Sequence, residues 1–294
     1  RDQNLLTEYH LRYGGRGVMV YWHVEKSATC IYSQLKRVSS SEAASMIEGV
    51  LRHCTDMEVK RQYVDSHGQT MVAFAFCHLL GFELMPRLKD ISRQKLFKAK
   101  VSQVFANLEP VMASRAINWE LIEEYYDAMV KHAVALKLGM ADAESLLRRF
   151  TRNNIQHPVY KALMELGKVV KTIVKTIFLC GYLASEGQRR EVHEGLNVVE
   201  SWNSTNGFIF YGKAGELSTD RRESQECGLL CLHLLQASLV YINTLMIQEV
   251  LGDPEWLDRM TNRDLAALSP LLTQHINPYG RFELDMETRL ALAS

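Results

Sequence analysis

Asp65 has the best-defined chemical setting in this sequence. It follows Gln62-Tyr63-Val64, a short β-type run, and precedes Ser66-His67-Gly68-Gln69, so a carboxylate closes a strand where a glycine turn begins. Carboxylate oxygens at such a position are hard ligands of the kind that hold Mg²⁺ or Mn²⁺. A plainer role fits the same letters: Asp65 and Ser66 could cap a helix starting near Gln69. The spacing alone leaves both readings open.

A second polar constellation runs Arg189-Arg190-Glu191-Val-His-Glu194-Gly-Leu-Asn197-Val-Val-Glu200-Ser-Trp-Asn203. On a helix, Arg190, Glu194, Asn197 and, more loosely, Glu200 and Asn203 fall near one face. That polar stripe suits a site, and it equally suits a solvated helix with i,i+4 pairs. Other candidates carry less. Cys227, Cys231 and His233 lie in an apolar helical run, where cysteine behaves as a small hydrophobe, so they are read as core and not as a zinc site. Gly14-Gly15-Arg16-Gly17 lacks the spacing and the Lys-Ser/Thr pair of a phosphate loop. His23 and His78 are expected to be hydrogen-bonded core histidines.

The elements that must position these groups follow from periodicity. Val18 to Val24 is β-branched and aromatic behind a glycine turn and predicts a strand, with Thr29 to Val38 as its hairpin partner. Ser39-Ser40-Ser41-Glu42 is a capping signal, and Ala43, Met46, Ile47, Val50 and Leu51 recur at helical spacing up to about Cys54. Gln62 to Val64 predicts a strand, Met71 to Leu80 a helix and Phe82 to Leu88 another strand. The order β-β-α-β-α-β implies a mixed α/β sheet, with ligands at the carboxyl ends of strands, where Asp65 sits. Between about Ser92 and Ser185 the strand signal disappears in favour of helices over Trp119 to Leu138, Ala141 to Phe150 and Val159 to Tyr182. Gln188 to Trp202 predicts one more helix and Phe208 to Tyr211 a short apolar segment. Arg221 to Leu251 predicts a long helix, apolar nearly all round and therefore buried, and Pro254 starts another.

Composition limits the function. The chain has 294 residues, 47% of them hydrophobic and 23% charged, the make-up of a folded globular protein. Lys and Arg number 34 and so do Asp and Glu, so the chain lacks the overall basic excess of an indiscriminate nucleic-acid coat. Residues 145–190 nevertheless hold nine basic side chains against Glu165 and Glu186. Within this sector Lys168, Lys171 and Lys175 stand at i, i+3 and i+7 and could line a phosphate-binding helix face or a merely solvated one. The six cysteines suit reduced thiols of a cytosolic protein. No apolar run is expected to cross a membrane, because the longest, Gly228 to Leu251, is broken by His233, Gln236, Asn243 and Gln248. The opening Arg-Asp-Gln-Asn has no initiator Met and no signal pattern, which suggests a piece of something longer.

Four blocks together carry a resemblance. They are Arg12-Tyr-Gly-Gly-Arg-Gly-Val-Met-Val-Tyr-Trp-His-Val24, Gln62-Tyr-Val-Asp-Ser-His-Gly-Gln69, Phe74-Ala-Phe-Cys-His-Leu-Leu-Gly-Phe82 with Pro86-Arg87, and Arg189-Arg-Glu-Val-His-Glu-Gly-Leu-Asn-Val-Val-Glu200. In order and spacing they resemble the catalytic region of the Tn-three family of replicative bacterial transposases, from about Tyr9 to Asn277. The resemblance implies a ribonuclease H-like α/β fold whose mixed sheet is interrupted by a large helical insertion and followed by C-terminal helices. It divides the chain into a first part of the core (1–91), the insertion (92–185), and a catalytic-Glu helix with C-terminal helices (186–294).

It further implies an Asp-Asp-Glu triad holding two Mg²⁺ (or Mn²⁺) ions, with Asp65 matching the second carboxylate and Glu200 the third; Glu194 ranks behind Glu200. No residue matches the first Asp, so the chain is expected to begin just after the strand that carries it and to be catalytically deficient alone. The chemistry implied is in-line phosphoryl transfer: water releases a 3′-hydroxyl at the transposon end, and that hydroxyl attacks target DNA. Lys168, Lys171, Lys175, Arg189 and Arg190 are the expected DNA contacts. The expected partners are terminal inverted repeats, target DNA and a second copy on DNA, in the bacterial cytoplasm beside the nucleoid and away from membranes. The competing reading is a DNA-binding or scaffolding remnant of a transposase with no chemistry.

Overall fold

The computed structural model describes residues 8–11, 14–65, 68–87, 94–150, 156–184, 187–209, 221–277, 280–281, 283 and 285–288. Over parts of 178–209, and at residue 266, it describes the backbone alone. Two compact units result, one from Arg1–Leu35 with Asn197–Ser294, the other from Lys36–Leu196.

In the second unit, α1 (Glu42–Arg52) starts as its sequence dictates, with Ser41 Oγ accepting the Ala44 N–H. β5 (Arg61–Val64) and β6 (Glu83–Pro86) pair in parallel, Gln62 opposite Leu84 and Val64 opposite Pro86. Parallel pairing requires a crossover, and α2 (Met71–Leu80) supplies it. This helix is apolar on nearly every side because it lies in the core: Phe74 and Phe76 are fully buried, and α3 (Trp119–Lys137) and α5 (Pro158–Ala184) both pack on it. Gly81, at φ 90°, ends α2 in the left-handed conformation that favours glycine. α4 (Ala143–Arg149), capped by Asp142, packs on α1, and Glu144 accepts the Ser41 N–H at 3.0 Å.

Strands occur where helices alone were expected. β7 (Leu96–Lys98) and β8 (Met112–Ala116) form a parallel pair, with β7 lying on α5, where Phe97 N–H donates to Thr172 Oγ1 at 3.2 Å. Both are short, and Met-Ala-Ser-Arg-Ala has little β-propensity; tertiary pairing with β7, not local preference, makes β8 a strand.

The first unit pairs β1 (Glu8–His10) antiparallel with β2 (Gly15–Gly17), and β3 (Met19–Val24) with β4 (Cys30–Lys36). The described strands thus form four two-stranded ladders within a mixed α/β chain, where one mixed sheet was expected. α6 (Gly187–Ile209) begins in the second unit and, from Asn197 onward, belongs to the first. It outruns its predicted end at Trp202 and absorbs Phe208 and Ile209. α7 (Arg222–Leu251), α8 (Pro254–Arg259) and α9 (Asn262–Ala267) follow.

The core of this unit gathers Trp22, Cys30, Trp202, Leu229 and Val240. Trp22 and Trp202 meet edge to face at 6.1 Å between ring centres. Burial pushes the Cys30 thiol up to about 12, so it stays protonated. All six cysteines are free in the structure. Trp202→Ala is expected to cost about 3–5 kcal/mol, the usual toll of emptying a buried tryptophan site. Denaturant unfolding measures it, and a loss below about 1 kcal/mol would contradict this core.

α7 corrects two expectations. It is not buried all round: Leu230, Leu234, Leu235, Tyr241 and Met246 are exposed, whereas Gln225, Gln236 and Asn243 face inward. Those polar groups are held by bonds that periodicity cannot reveal: Gln236 donates to the Trp202 carbonyl at 3.3 Å and Asn243 to the carbonyls of Pro270 and Leu272 at 2.7 and 2.8 Å. The helix is also long and apolar enough to cross a membrane by length and composition, because scattered Gln and Asn do not lower its mean hydropathy enough to exclude it.

Candidate active site

Asp65 follows β5 directly, and the ladder continues beside it, since Arg87 N–H donates to the Val64 carbonyl at 2.8 Å. Its own carbonyl accepts the Gly68 N–H at 3.2 Å, closing a tight turn out of the strand. A side chain at Gly68 would come within 2.9 Å of Val64 Cγ2, so the turn requires glycine for space. Ser66 and His67 lie outside the described residues. The alternative role for Asp65 fails here. α2 is capped by Thr70, whose Oγ1 accepts the Ala73 N–H at 3.1 Å, and the helix starts at Met71, beyond the reach of an Asp65 or Ser66 cap.

The Glu-Gly-Leu-Asn block lies on α6. A Cβ at Gly195 would meet the Tyr63 ring at 3.1 Å, so α6 comes down on β5 two residues before Asp65, with Glu194 half-buried beside that contact. Glu200 is exposed farther along α6, in the first unit, two residues before fully buried Trp202. The anchor sets the face: with Trp202 driven inward, Glu200, about 200° away around the helix, is turned out.

Asp65 and Glu200 differ from several other acids among the described residues. Glu48 pairs with Lys36, Glu144 with Arg148, Glu109 with Lys98 and Glu165 with Lys168. No ion pair or hydrogen bond to either carboxylate is found among the described residues, and both are exposed. Exposed, unneutralised oxygens fit a hard divalent ion. No cluster of three or more His, Cys, Asp or Glu able to hold a metal is found among the described residues. The zinc alternative has no support: both His233 nitrogens are engaged, Nε2 with the Cys30 carbonyl at 2.9 Å and Nδ1 with Ser33 Oγ at 3.0 Å. Cys227 and Cys231 are exposed and not core. His23 is buried and bonded to Gln34 as expected, but His78 is exposed.

The lysine row is not an open basic stripe. Lys168 is bonded to Glu165 and lies over the Phe97 ring, 5.5 Å from its centre. Lys175 is buried and donates to the Gln94 carbonyl; burial, then Lys171 and Lys95, holds its pKa down. Lys171 lies between, half-buried, its pKa also lowered by burial. The periodicity was legible in the sequence; the carbonyl that draws Lys175 inward was not. The side chains of Arg189 and Arg190 lie outside the described residues.

This geometry, a carboxylate at a parallel strand end with a Glu-bearing helix against the same strand, meets a family match over residues 1–282 to the Tn3 transposase DDE domain. The chain belongs to that family. Over 292 residues, 99% of its length, it is 29% identical to the transposase of transposon Tn1546 from Enterococcus faecium. It is 30% identical to the Tn2501 transposase of Escherichia coli over 95% of its length, and 29% identical to the Tn501 transposase of Pseudomonas aeruginosa, also over 95%. It spans 28–29% of the length of these relatives.

Proposed function

We propose that this DDE domain is the catalytic region of a DNA transposase, performing divalent-metal-dependent cleavage at transposon 3′ ends and joining of those ends to target DNA in replicative transposition. The observation that carries the reading is Asp65, exposed at the end of a parallel strand against which α6 packs at Gly195, in a chain of this family. Asp65 and Glu200 would hold Mg²⁺ or Mn²⁺, with a ribonuclease H-like arrangement of the strands and α6 around them. When bound, the metal supplies activation of the attacking oxygen and stabilisation of the leaving one. The chain's part is to fix those carboxylates: Gly68 shapes the turn after Asp65, and Trp202 orients the helix of Glu200. The substrates are terminal inverted repeats and target DNA, the working form is a homodimer on DNA, and the place of action is the bacterial cytoplasm beside the nucleoid.

The test is cleavage and joining of an end-containing duplex by the whole protein, with Mg²⁺, Mn²⁺ or EDTA. Metal-dependent nicking at the 3′ end and joining are expected. DNA binding without cleavage under any divalent ion would instead establish the scaffolding remnant.

Phosphate contact in this reading falls to the sector of Lys168, Lys171, Lys175, Arg189 and Arg190, with Lys175 acting through the fold because its ammonium points inward. Replacing Lys168 and Lys171 by Gln is expected to make log affinity against log salt shallower by about 0.9 for each phosphate that is no longer neutralised. An unchanged slope in a salt titration would return both to a solvated surface.

A further inference from the structure

The segment between β7 and β8 combines features that no element described so far uses. From Ala99 to Leu108 it carries no acidic residue, and it holds four large apolar side chains in water: Val101 and Val104 at 81% and 77% exposure, Phe105 and Leu108 at 38% and 46%. Exposed apolar groups gathered on one loop mark an interaction site more often than scattered ones do.

The loop is built, not frayed. Gln103 Oε1 accepts the N–H groups of both Ala99 and Lys100 at 3.2 Å, and the Phe105 carbonyl accepts those of Leu108 and Glu109 at 2.9 and 3.0 Å. At its root, Trp119 Nε1 donates to the Ala99 carbonyl at 2.9 Å and Lys95 Nζ to the Pro110 carbonyl at 2.5 Å.

Its surroundings are cationic. Lys100 is exposed on the loop, Lys95 at its root and Arg115 on β8. The loop's flanking acid, Glu109, is neutralised by Lys98 at 2.8 Å. An apolar tip on a hydrogen-bonded stem flanked by the exposed cations Lys95, Lys100 and Arg115 is complementary to a polyanion with flat, apolar faces inside it. Proteins that enter a base step meet duplex DNA in this way: cations hold the phosphates and an apolar wedge parts the stack.

We propose that the Val101–Leu108 loop is a wedge that inserts Phe105, supported by Val104, into a base step of bound duplex DNA and unstacks it. The proposal rests on the DNA-transposase reading above and adds to it a deformation of the substrate. Unstacking beside the backbone loosens the strand that must enter a carboxylate site, and pyrimidine–purine steps, the easiest to part, are the preferred entry.

The experiment uses the whole protein and end-containing duplexes carrying 2-aminopurine at successive positions, in the presence of Ca²⁺. Binding is expected to raise 2-aminopurine fluorescence several-fold at one step or two adjacent ones. Val104→Ser with Phe105→Ser should abolish that signal and weaken binding about 10-fold, a typical loss for one stacked base. Phe105→Leu, which keeps an apolar wedge, should retain most of it, and Lys100→Gln should lower affinity in a salt-dependent way without moving the unstacked position. Because the tip is exposed, these variants should melt with the parent. Unstacking that persists in the double Ser variant overturns the wedge, as does wild-type binding and metal-dependent cleavage with no fluorescent step. Absence of both DNA binding and cleavage would instead sink the transposase reading itself. Binding of the loop to anionic vesicles with no unstacking of DNA would reassign it to a lipid surface and also overturn the proposal.

Discussion

Asp65→Asn and Glu200→Gln are each expected to lower DNA strand cleavage and joining by the whole protein at least about a thousandfold, while duplex affinity stays within about twofold. Each substitution keeps the shape of the side chain and removes its charge. If the carboxylates hold the ions that activate the attacking oxygen and stabilise the leaving one, the loss falls on the transition state and not on binding, so the rate collapses while the gel shift does not. Both residues are exposed and without ion-pair partners among the described residues, so neither change strands a buried charge, and thermal melting should stay near the parent. The neighbouring acid is the control. Glu194→Gln, on the same helix and half-buried where Gly195 meets Tyr63, should leave more activity than Glu200→Gln. Near-normal joining by Asp65→Asn or Glu200→Gln would remove that residue from the site; a larger loss at Glu194 than at Glu200 would exchange their roles.

Gly167→Ala is expected to be the most damaging Gly-to-Ala change among the described residues, costing about 3 kcal/mol or more in denaturant unfolding. Gly167 lies on α5 where that helix crosses the first turn of α2, and a Cβ there would sit 2.0 Å from the Met71 carbonyl oxygen and 2.6 Å from its carbon. Neither atom belongs to a side chain that could rotate away. The helices would have to separate across packing that includes fully buried Leu163 and Phe74. The effect should reach the candidate site as well, since the turn after Asp65 leads straight into α2 and a displaced Met71 drags that turn with it. Gly228 is the comparison: a Cβ there meets nothing within 4 Å, so Gly228→Ala in α7 should be neutral or stabilising by up to about 1 kcal/mol through helix propensity. Equal effects at the two glycines would contradict the α2–α5 crossing.

Legibility followed the range of the forces involved. Ser41 as the cap of α1, the β3–β4 hairpin, the β5–α2–β6 order and Asp65 at the end of a strand all follow from interactions a few residues apart or from period-2 and period-3.6 patterns, and all appear in the structure. β8 was not legible, because Met-Ala-Ser-Arg-Ala is a strand only by virtue of β7 beside it. The cap of α2 was misplaced for a local reason: with the helix expected to start near Gln69 the candidates were Asp65 and Ser66, whereas Thr70 has the register that reaches Ala73.

By itself the sequence determined the family, through motif types and their order, and the candidate carboxylates Asp65 and Glu200, because residue identity and spacing along the chain survive without coordinates. Only the tertiary structure decided what those patterns face. Periodicity says that two residues share a side of a helix and not whether that side meets a carbonyl, a ring or water. Lys175 therefore turns inward to Gln94 despite its place in a basic row, α7 buries Gln236 and Asn243 while exposing leucines, and the apolar loop from Val101 to Leu108 stands out in solvent. Each of these outcomes depends on a partner tens of residues away in the chain, or on the absence of one, and such partners are chosen by packing rather than by local sequence.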